Sequence, residues 1–477
     1  MKISKLLNTN KLLIHTHFVN GLKTNSKKVK ANDIFYAISG SNFDGNDYII
    51  DAIKKGAKTI ISEKEFLEAY KYPDINFIRV EDVRKVLAIH AKIFYKDLSK
   101  SFTLIGITGT NGKTTVSTLV YKYFQYLNKK ATLIGTNGIY IMNSFYETKN
   151  TTPDILELYE ILLESRKNGV NTIIMEVSSH AVKMLRIYGL EFDIALITNL
   201  TQDHLDFHTT MEDYKYTKGL FLNSLNEDKI VIINKDMEDY KFFSYLSKAK
   251  TYTFGRKTSN YELLDYKLSV EGSNFLVRMH NKVININTKL LGLFNIYNIL
   301  AFIAIVDNLG LFQTKTLEFL SSKINILGRM EVVKLENRYF VIDFAHTPDG
   351  VLNVLNFLNQ IKHNKLYVVI GCGGDRDRSK RKVIGHISSE NADFVFFTND
   401  NPRTEPPEII INDILEGVKT DNYLVILDRK MAIEEAYLRS LSGDIIAILG
   451  KGNEQYQIVG KEKYKFSDKE VVLGLGK

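Results

Sequence analysis

The sequence predicts an α/β fold built in three blocks. Two observations carry this expectation. Short apolar runs rich in β-branched residues recur along the chain, among them "TIIMEV", "IALITN", "IVIIN", "YFVIDF", "LYVVIG", "FVFFTND", "LVILD" and "IIAILG". Most of these runs precede a stretch with helical apolar spacing, and that alternation builds parallel sheets covered by helices. The length, 477 residues, allows about three domains.

The first block, residues 1–100, is a small α/β unit containing "NSKKVKANDIFYAISGSNFDG". The second, residues 101–327, opens at a glycine-rich loop and holds a parallel sheet. Near its end, "YKLSVEGSNFLVRMHNKVININTKL" alternates apolar and polar residues as a small antiparallel sheet would. The third, residues 328–477, restarts a Rossmann-like β/α series at "GRMEVVKLENRYFVIDFAHTPDG".

Composition narrows the class. Hydrophobic residues make up 44% and charged residues 25%, as in folded globular domains. No apolar run reaches the roughly 18 residues of a membrane span. The start, "MKISKLLNTNKLLIHTH", lacks the apolar core of a secretory leader. One cysteine, Cys372, excludes an internal disulfide and fits a reducing cytoplasm. A monomer without membrane attachment is expected. Net charge is +8. The lysines are scattered and the basic runs short, so the charge points to polyanionic small substrates rather than nucleic acid.

The loop is "TLIGITGTNGKTTVSTLVY", residues 103–121. A strand ends in glycine and a helix begins at about Lys113. Backbone N–H groups of Gly109, Thr110, Asn111 and Gly112, with the helix N-terminus, form a phosphate cradle. Lys113 reaches terminal phosphates, and Thr114, next to Thr115, offers its hydroxyl to Mg²⁺. The strict pattern would place glycine at position 107, where Ile107 stands. Nothing in the loop separates ATP from GTP.

"TGTNGKTT" resembles the loop of the Mur ligases and of folylpolyglutamate synthases, which join a carboxylate to an amine at the expense of ATP. Further motifs occur in the Mur ligase order: "NTTPD", "MEVSSHAV", "NLTQDHLDFHTTMEDYKYTKGLF", "GLFNIYNILA", "GRME", "DFAHTPD", "GCGGDRDRSKR", "DNPRTE" and "GKGNEQYQ". The resemblance covers nearly the whole chain. It is strongest to the branch that adds the third peptide residue to UDP-N-acetylmuramoyl-L-alanyl-D-glutamate in peptidoglycan precursor synthesis. It implies ATP and Mg²⁺, an acyl phosphate on the D-glutamyl γ-carboxylate, and capture by an amine. Glu176, His204 and Thr114 match the metal ligands. Lys218 matches a lysine carbamoylated by CO₂, whereas Lys215 on the same helix reads as solvated. Asn295, Arg329 and Asp343 match nucleotide-side positions, with turn capping an alternative role for Asp343. His346 is a further candidate.

For the UDP substrate the resemblance implies Ser26, Ser41, Asn42 and Phe43 in the first block. It adds Asn150, Thr151, Thr152, Ser178 and Arg186 in the second. For the incoming amino acid it implies Arg376, Asp400, Asn401, Pro402, Arg403, Gly450 and Glu454. "DNPR" resembles the form found in ligases for meso-diaminopimelate. Arg403 would pair with the distal carboxylate and Glu454 with the distal ammonium. Lanthionine carries the same charges, and L-lysine lacks the distal carboxylate. The chain departs from the family at Asn25, Ser41, Met184 and Asn453, where aspartate, histidine, glutamine and histidine are common. A folylpolyglutamate synthase would lack the first block and "DNPRTE". A nucleic-acid-stimulated ATPase would carry basic patches interleaved with aromatics.

Overall fold

The computed structural model describes residues 1–7, 15–40, 43–269 and 271–476. The chain divides into two compact units: residues 1–105 with 130–193, and residues 106–129 with 194–477. The division falls inside the strand Thr103–Thr108, just before the glycine loop.

In the first unit, strands Leu22–Lys23, Ile34–Ala37, Thr59–Ser62 and Asn76–Arg79 form a parallel four-stranded sheet. Ile34–Ala37 and Thr59–Ser62 are buried at every position, as expected of parallel strands covered on both faces. Helix Val83–Phe94 begins where Asp82 accepts the Lys85 N–H, which satisfies one of the open donors of its first turn. The same unit holds Thr172–Glu176, paired parallel to Ala131–Gly135. Ala131–Gly135 turns back antiparallel into Gly138–Ile141.

In the second unit, Ile194–Ile197, Ile230–Asn234, Lys250–Gly255 and Tyr261–Ser269 run parallel. Gly272–Met279 and Lys282–Thr288 then pair antiparallel, as the alternation in that stretch predicts. Helix Leu293–Asn308 is buried around most of its circumference and packs on helix Lys113–Tyr126. From residue 331 a six-stranded sheet forms in the order 331–335, 338–343, 445–449, 366–370, 394–397 and 423–425. Only its edge pair is antiparallel. Apolar clusters fill both faces, one on Val351, Leu355 and Ile414, the other on Ile433, Ala436 and Val472. Each of the apolar runs that predict strands contributes one.

Candidate active site

The glycine loop takes the form its sequence predicts. Helix Lys113–Tyr126 starts at the lysine itself. Gly109 and Gly112 have φ of +138° and +86°, a region that favours glycine. Space enforces the same choice: a Cβ on Gly109 would lie 1.9 Å from Thr198 Oγ1, and one on Gly112 2.3 Å from Asn298 Oδ1. The loop is held by its neighbours. Thr110 Oγ1 donates to Thr201 O at 3.0 Å, and Asn199 Oδ1 accepts the Asn111 N–H at 2.8 Å. Thr114 and Thr115 are buried at the helix start.

Two lysines converge on one carbonyl. Lys113 Nζ donates to Gly109 O and Thr110 O, both at 2.9 Å, and Lys218 Nζ donates to Gly109 O at 3.0 Å. Lys218 is 1% exposed on helix Met211–Asn223 and lies 4.5 Å over the Tyr214 ring. Burial, then the Lys113 charge, push its ammonium well below the usual lysine range, against an opposing pull from Asp203. Lys215, expected to be solvated, is instead partly buried: it pairs with Asp239 at 3.0 Å and lies over the Phe242 ring.

His204 sits in a left-handed turn, φ +57°, with Nε2 3.3 Å from Asp203 Oδ2. Asp203 is buried and also meets Lys380 Nζ at 3.2 Å and His346 Nε2 at 3.7 Å. Burial would raise its carboxyl, but His346, Lys380 and His204 outweigh it and hold the group well below the carboxylate range. Arg329 Nη2 donates to Thr114 Oγ1 at 3.2 Å, and its guanidinium lies over the Phe344 ring. Asp343 accepts the Met330 N–H at 2.7 Å and the Ala345 N–H at 2.8 Å, so it shapes the turn that presents Arg329 and His346. Asn295 is buried, donates to Leu291 O and accepts from Asn298 Nδ2. Asn298 is the residue of that helix set against Gly112.

In the first unit, Glu176 is buried at the end of its strand. Its two oxygens accept the Thr136 N–H and hydroxyl, each at 3.1 Å. Thr151 Oγ1 lies 3.1 Å from Thr136 Oγ1. Thr152 donates to Glu176 O at 2.8 Å, and its hydroxyl oxygen accepts the Ser178 N–H at 3.0 Å. Arg186 pairs with Asp154 at 2.8 Å and donates to Thr152 O at 3.1 Å. Asn150 O accepts the Thr148 hydroxyl. Met184 offers its sulfur to Arg186 Nη2 at 3.6 Å. Ser26 is buried at the start of a single helical turn capped by Asn25, and Phe43 is 74% exposed. Ser41 and Asn42 lie outside the described residues.

The second unit brings "DNPR" and "GKGNE" together. Arg403 holds φ +53° and donates through Nη1 to Gly374 O at 2.6 Å. Its Nε and Nη2 have no partner among the described residues. Burial, then Arg376, lower its pKa, while Asp400, Glu454 and Asp375 act the other way. Asn401 Nδ2 donates to Glu454 Oε2 at 2.9 Å. Gly450, at φ +110°, would place a Cβ 2.7 Å from Asp400 Oδ2. Pro402 O would lie 1.9 Å from a Cβ on Gly374, so this turn fits tightly under the "GCGGDRD" loop. Gly328 packs on the "GKGNE" loop: a Cβ there would lie 2.2 Å from Asn453 N.

Comparison with known proteins places the chain in a family. Family models match residues 18–95 (Mur ligase family, catalytic domain), 107–306 (Mur ligase middle domain) and 328–452 (Mur ligase, glutamate ligase domain). The chain is 39% identical over 458 residues to the UDP-N-acetylmuramoyl-L-alanyl-D-glutamate–2,6-diaminopimelate ligase of Caldanaerobacter subterraneus, covering 95% of this chain and 94% of that one. The chain belongs to the Mur ligase family. The ligase of the same name from Oceanobacillus iheyensis is 38% identical over 463 residues, 95% of this chain and 93% of that one. A solved structure of a ligase of that name superposes with a TM-score of 0.70 at 30% identity, covering 99% of this chain and 98% of that one. As a Mur ligase, the chain is an ATP-dependent enzyme that forms amide bonds.

Several residues of this Mur ligase carry no signal of their own in the sequence. Thr136 and Asp154 orient Glu176 and Arg186, Asp203 gathers His204, His346 and Lys380, and Lys451 holds Glu454. Asp154 and Asp203 sit inside the "NTTPD" and "QDHLD" motifs, so the signal was adjacent. Thr136 is brought in only by the fold, since Gly135 and Glu176 end neighbouring strands. Lys451 drew no reading from the sequence and is fully buried.

Proposed function

We propose that this Mur ligase joins 2,6-diaminopimelate to the D-glutamyl γ-carboxylate of UDP-N-acetylmuramoyl-L-alanyl-D-glutamate, a step of peptidoglycan precursor synthesis. The γ-carboxylate attacks the γ-phosphorus of ATP and ADP leaves. The amine of the diamino acid attacks the acyl carbon and phosphate leaves, which completes the amide. Lys113 and the loop N–H groups neutralise the phosphates so that two anions can approach. Arg186, Thr151, Thr152 and Ser178 hold the substrate peptide, and Ser26 with Phe43 the uridine end.

Magnesium fits the donor set on one condition. Among the described residues, no group of three or more His, Cys, Asp or Glu is arranged to hold a metal. Mg²⁺ commonly takes few protein ligands and keeps water and phosphate oxygens, so within the second unit Thr114 and His204 would suffice if Lys218 adds a carboxylate, and Glu176 would be a further ligand on the family's pattern. Burial and the Lys113 charge push the Lys218 ammonium toward the neutral amine, the form that adds CO₂ to give a carbamate. The ion would supply charge neutralisation at the phosphates.

The observation that carries the substrate assignment is Arg403. Two edges of its guanidinium are unengaged among the described residues, beside Glu454 and Asp400. A distal carboxylate fills that fork in a bidentate pair, whereas the lone ε-ammonium of L-lysine meets Arg403 as a like charge. ADP release is measured with the muramyl dipeptide nucleotide, Mg²⁺ and each of diaminopimelate, lanthionine and L-lysine. Turnover with diaminopimelate well above L-lysine is expected. Equal turnover with L-lysine overturns the assignment, and turnover with lanthionine above diaminopimelate reassigns the site to that analogue.

A further inference from the structure

Beside the residues assigned to the incoming amino acid lies a cation with no role in the reaction described so far. Lys451 is completely buried, side chain included. A buried ammonium is costly unless its protons are taken up. Here Nζ donates to Glu454 Oε2 at 2.8 Å and to Asn401 Oδ1 at 3.1 Å. Asn401 Oδ1 also accepts the Ile458 N–H at 2.9 Å, and Asn401 Nδ2 returns to Glu454 Oε2 at 2.9 Å. The three side chains form a closed ring of hydrogen bonds. One consequence is geometric. Both donors fall on Oε2, so the Glu454 carboxylate is pinned by one oxygen. Oε1 has no partner among the described residues, and the side chain is 23% exposed.

We infer that Lys451 is a positioning residue for the diamino acid. It acts through Glu454, whose Oε1 it holds open toward the distal ammonium of the substrate. This role rests on the diaminopimelate reading. Charge balance points the same way. Asp400 and Glu454 are two carboxylates in one pocket, and Lys451 compensates one of them. With Arg403 as the second cation, the pocket then balances a distal centre carrying one carboxylate and one ammonium. With Lys451 neutralised, Glu454 gains a rotamer and the Asn401 side-chain oxygen loses a donor, so the open oxygen is no longer fixed. The loss falls on binding of the diamino acid and not on the nucleotide end.

The test uses the full-length enzyme, ADP release, and separate KM values for diaminopimelate and ATP. Lys451→Met is expected to raise KM for diaminopimelate at least about tenfold, with KM for ATP within about twofold; tenfold corresponds to about 1.4 kcal/mol. Lys451→Arg, which keeps the charge, is expected to stay within about threefold of wild type. In a Glu454→Gln background, Lys451→Met is expected to add less than about threefold, because the group it acts through is gone. Should Lys451→Met fail to fold by circular dichroism, the double variant against Glu454→Gln alone carries the comparison, since it leaves no unpaired buried charge. An unchanged KM for diaminopimelate in Lys451→Met, a parallel rise in KM for ATP, or an additive effect in the Glu454→Gln background overturns the inference. Wild-type enzyme that releases no ADP with diaminopimelate overturns the substrate reading instead.

Discussion

Lys218 is buried without a carboxylate at hydrogen-bond distance among the described residues, unlike Lys451, whose ammonium is taken up by Glu454. Burial of Lys218 and the neighbouring Lys113 favour the neutral amine, which is the nucleophile a carbamate requires. Lys218→Ala is therefore expected to cut amide formation by about a hundredfold or more. Formate or acetate should restore part of it by supplying the missing carboxylate. Loss without rescue at any carboxylate concentration would count against the carbamate. At Arg403 the unengaged Nε and Nη2 set the expectation. Arg403→Ala should raise KM for diaminopimelate roughly tenfold or more, the worth of a charge-assisted pair, and leave KM for ATP nearly unchanged. Parallel changes in both constants would remove Arg403 from the amino-acid pocket. Residues of this kind were legible because charge and spacing travel with the motif, as in "DNPR" and "DHLD". Lys451 and Thr136 were not. Their roles depend on burial and on strand neighbours, which a linear reading does not contain.

Elements were legible wherever their period was clear. The apolar runs became strands and the glycine loop became a strand–helix turn, because continuous burial and positive φ leave few alternatives. Side-chain traffic between elements was harder to read. Helix Val83–Phe94 places His90 2.8 Å from the Tyr36 hydroxyl on the strand Ile34–Ala37. Burial lowers the His90 pKa from 6.5 to about 4. The folded state thus keeps His90 neutral while the unfolded chain takes up a proton. Stability from this site is complete above pH 6.5 and is lost as pH falls toward 4, by up to about 3 kcal/mol. Chemical denaturation at about pH 7 and about pH 4.5, either side of the ordinary histidine range, should show this slope in the wild type. His90→Leu should flatten it; an unchanged slope would place the acid sensitivity elsewhere.

At the scale of the molecule, the +8 net charge is compatible with anionic substrates without naming any, and the family relationship supplies the reaction class, ATP-dependent amide formation. Among the described residues, no helix is long and apolar enough to cross a membrane. The segment that opens at Gly328 touches two candidate subsites through one short stretch of backbone. Gly328 abuts the backbone of Asn453, and Arg329, the next residue, reaches Thr114 at 3.2 Å. On the proposed reading, the diamino-acid contact at Glu454, next to Asn453, and the nucleotide contact at Arg329 would meet across a single peptide. By reciprocity, whatever free energy one guest contributes to fixing that peptide is returned to the other. Calorimetry should find ADP held several-fold more tightly when the diamino acid is present, and the diamino acid tightened by the same factor when ADP is. Independent affinities would mean that the peptide transmits nothing.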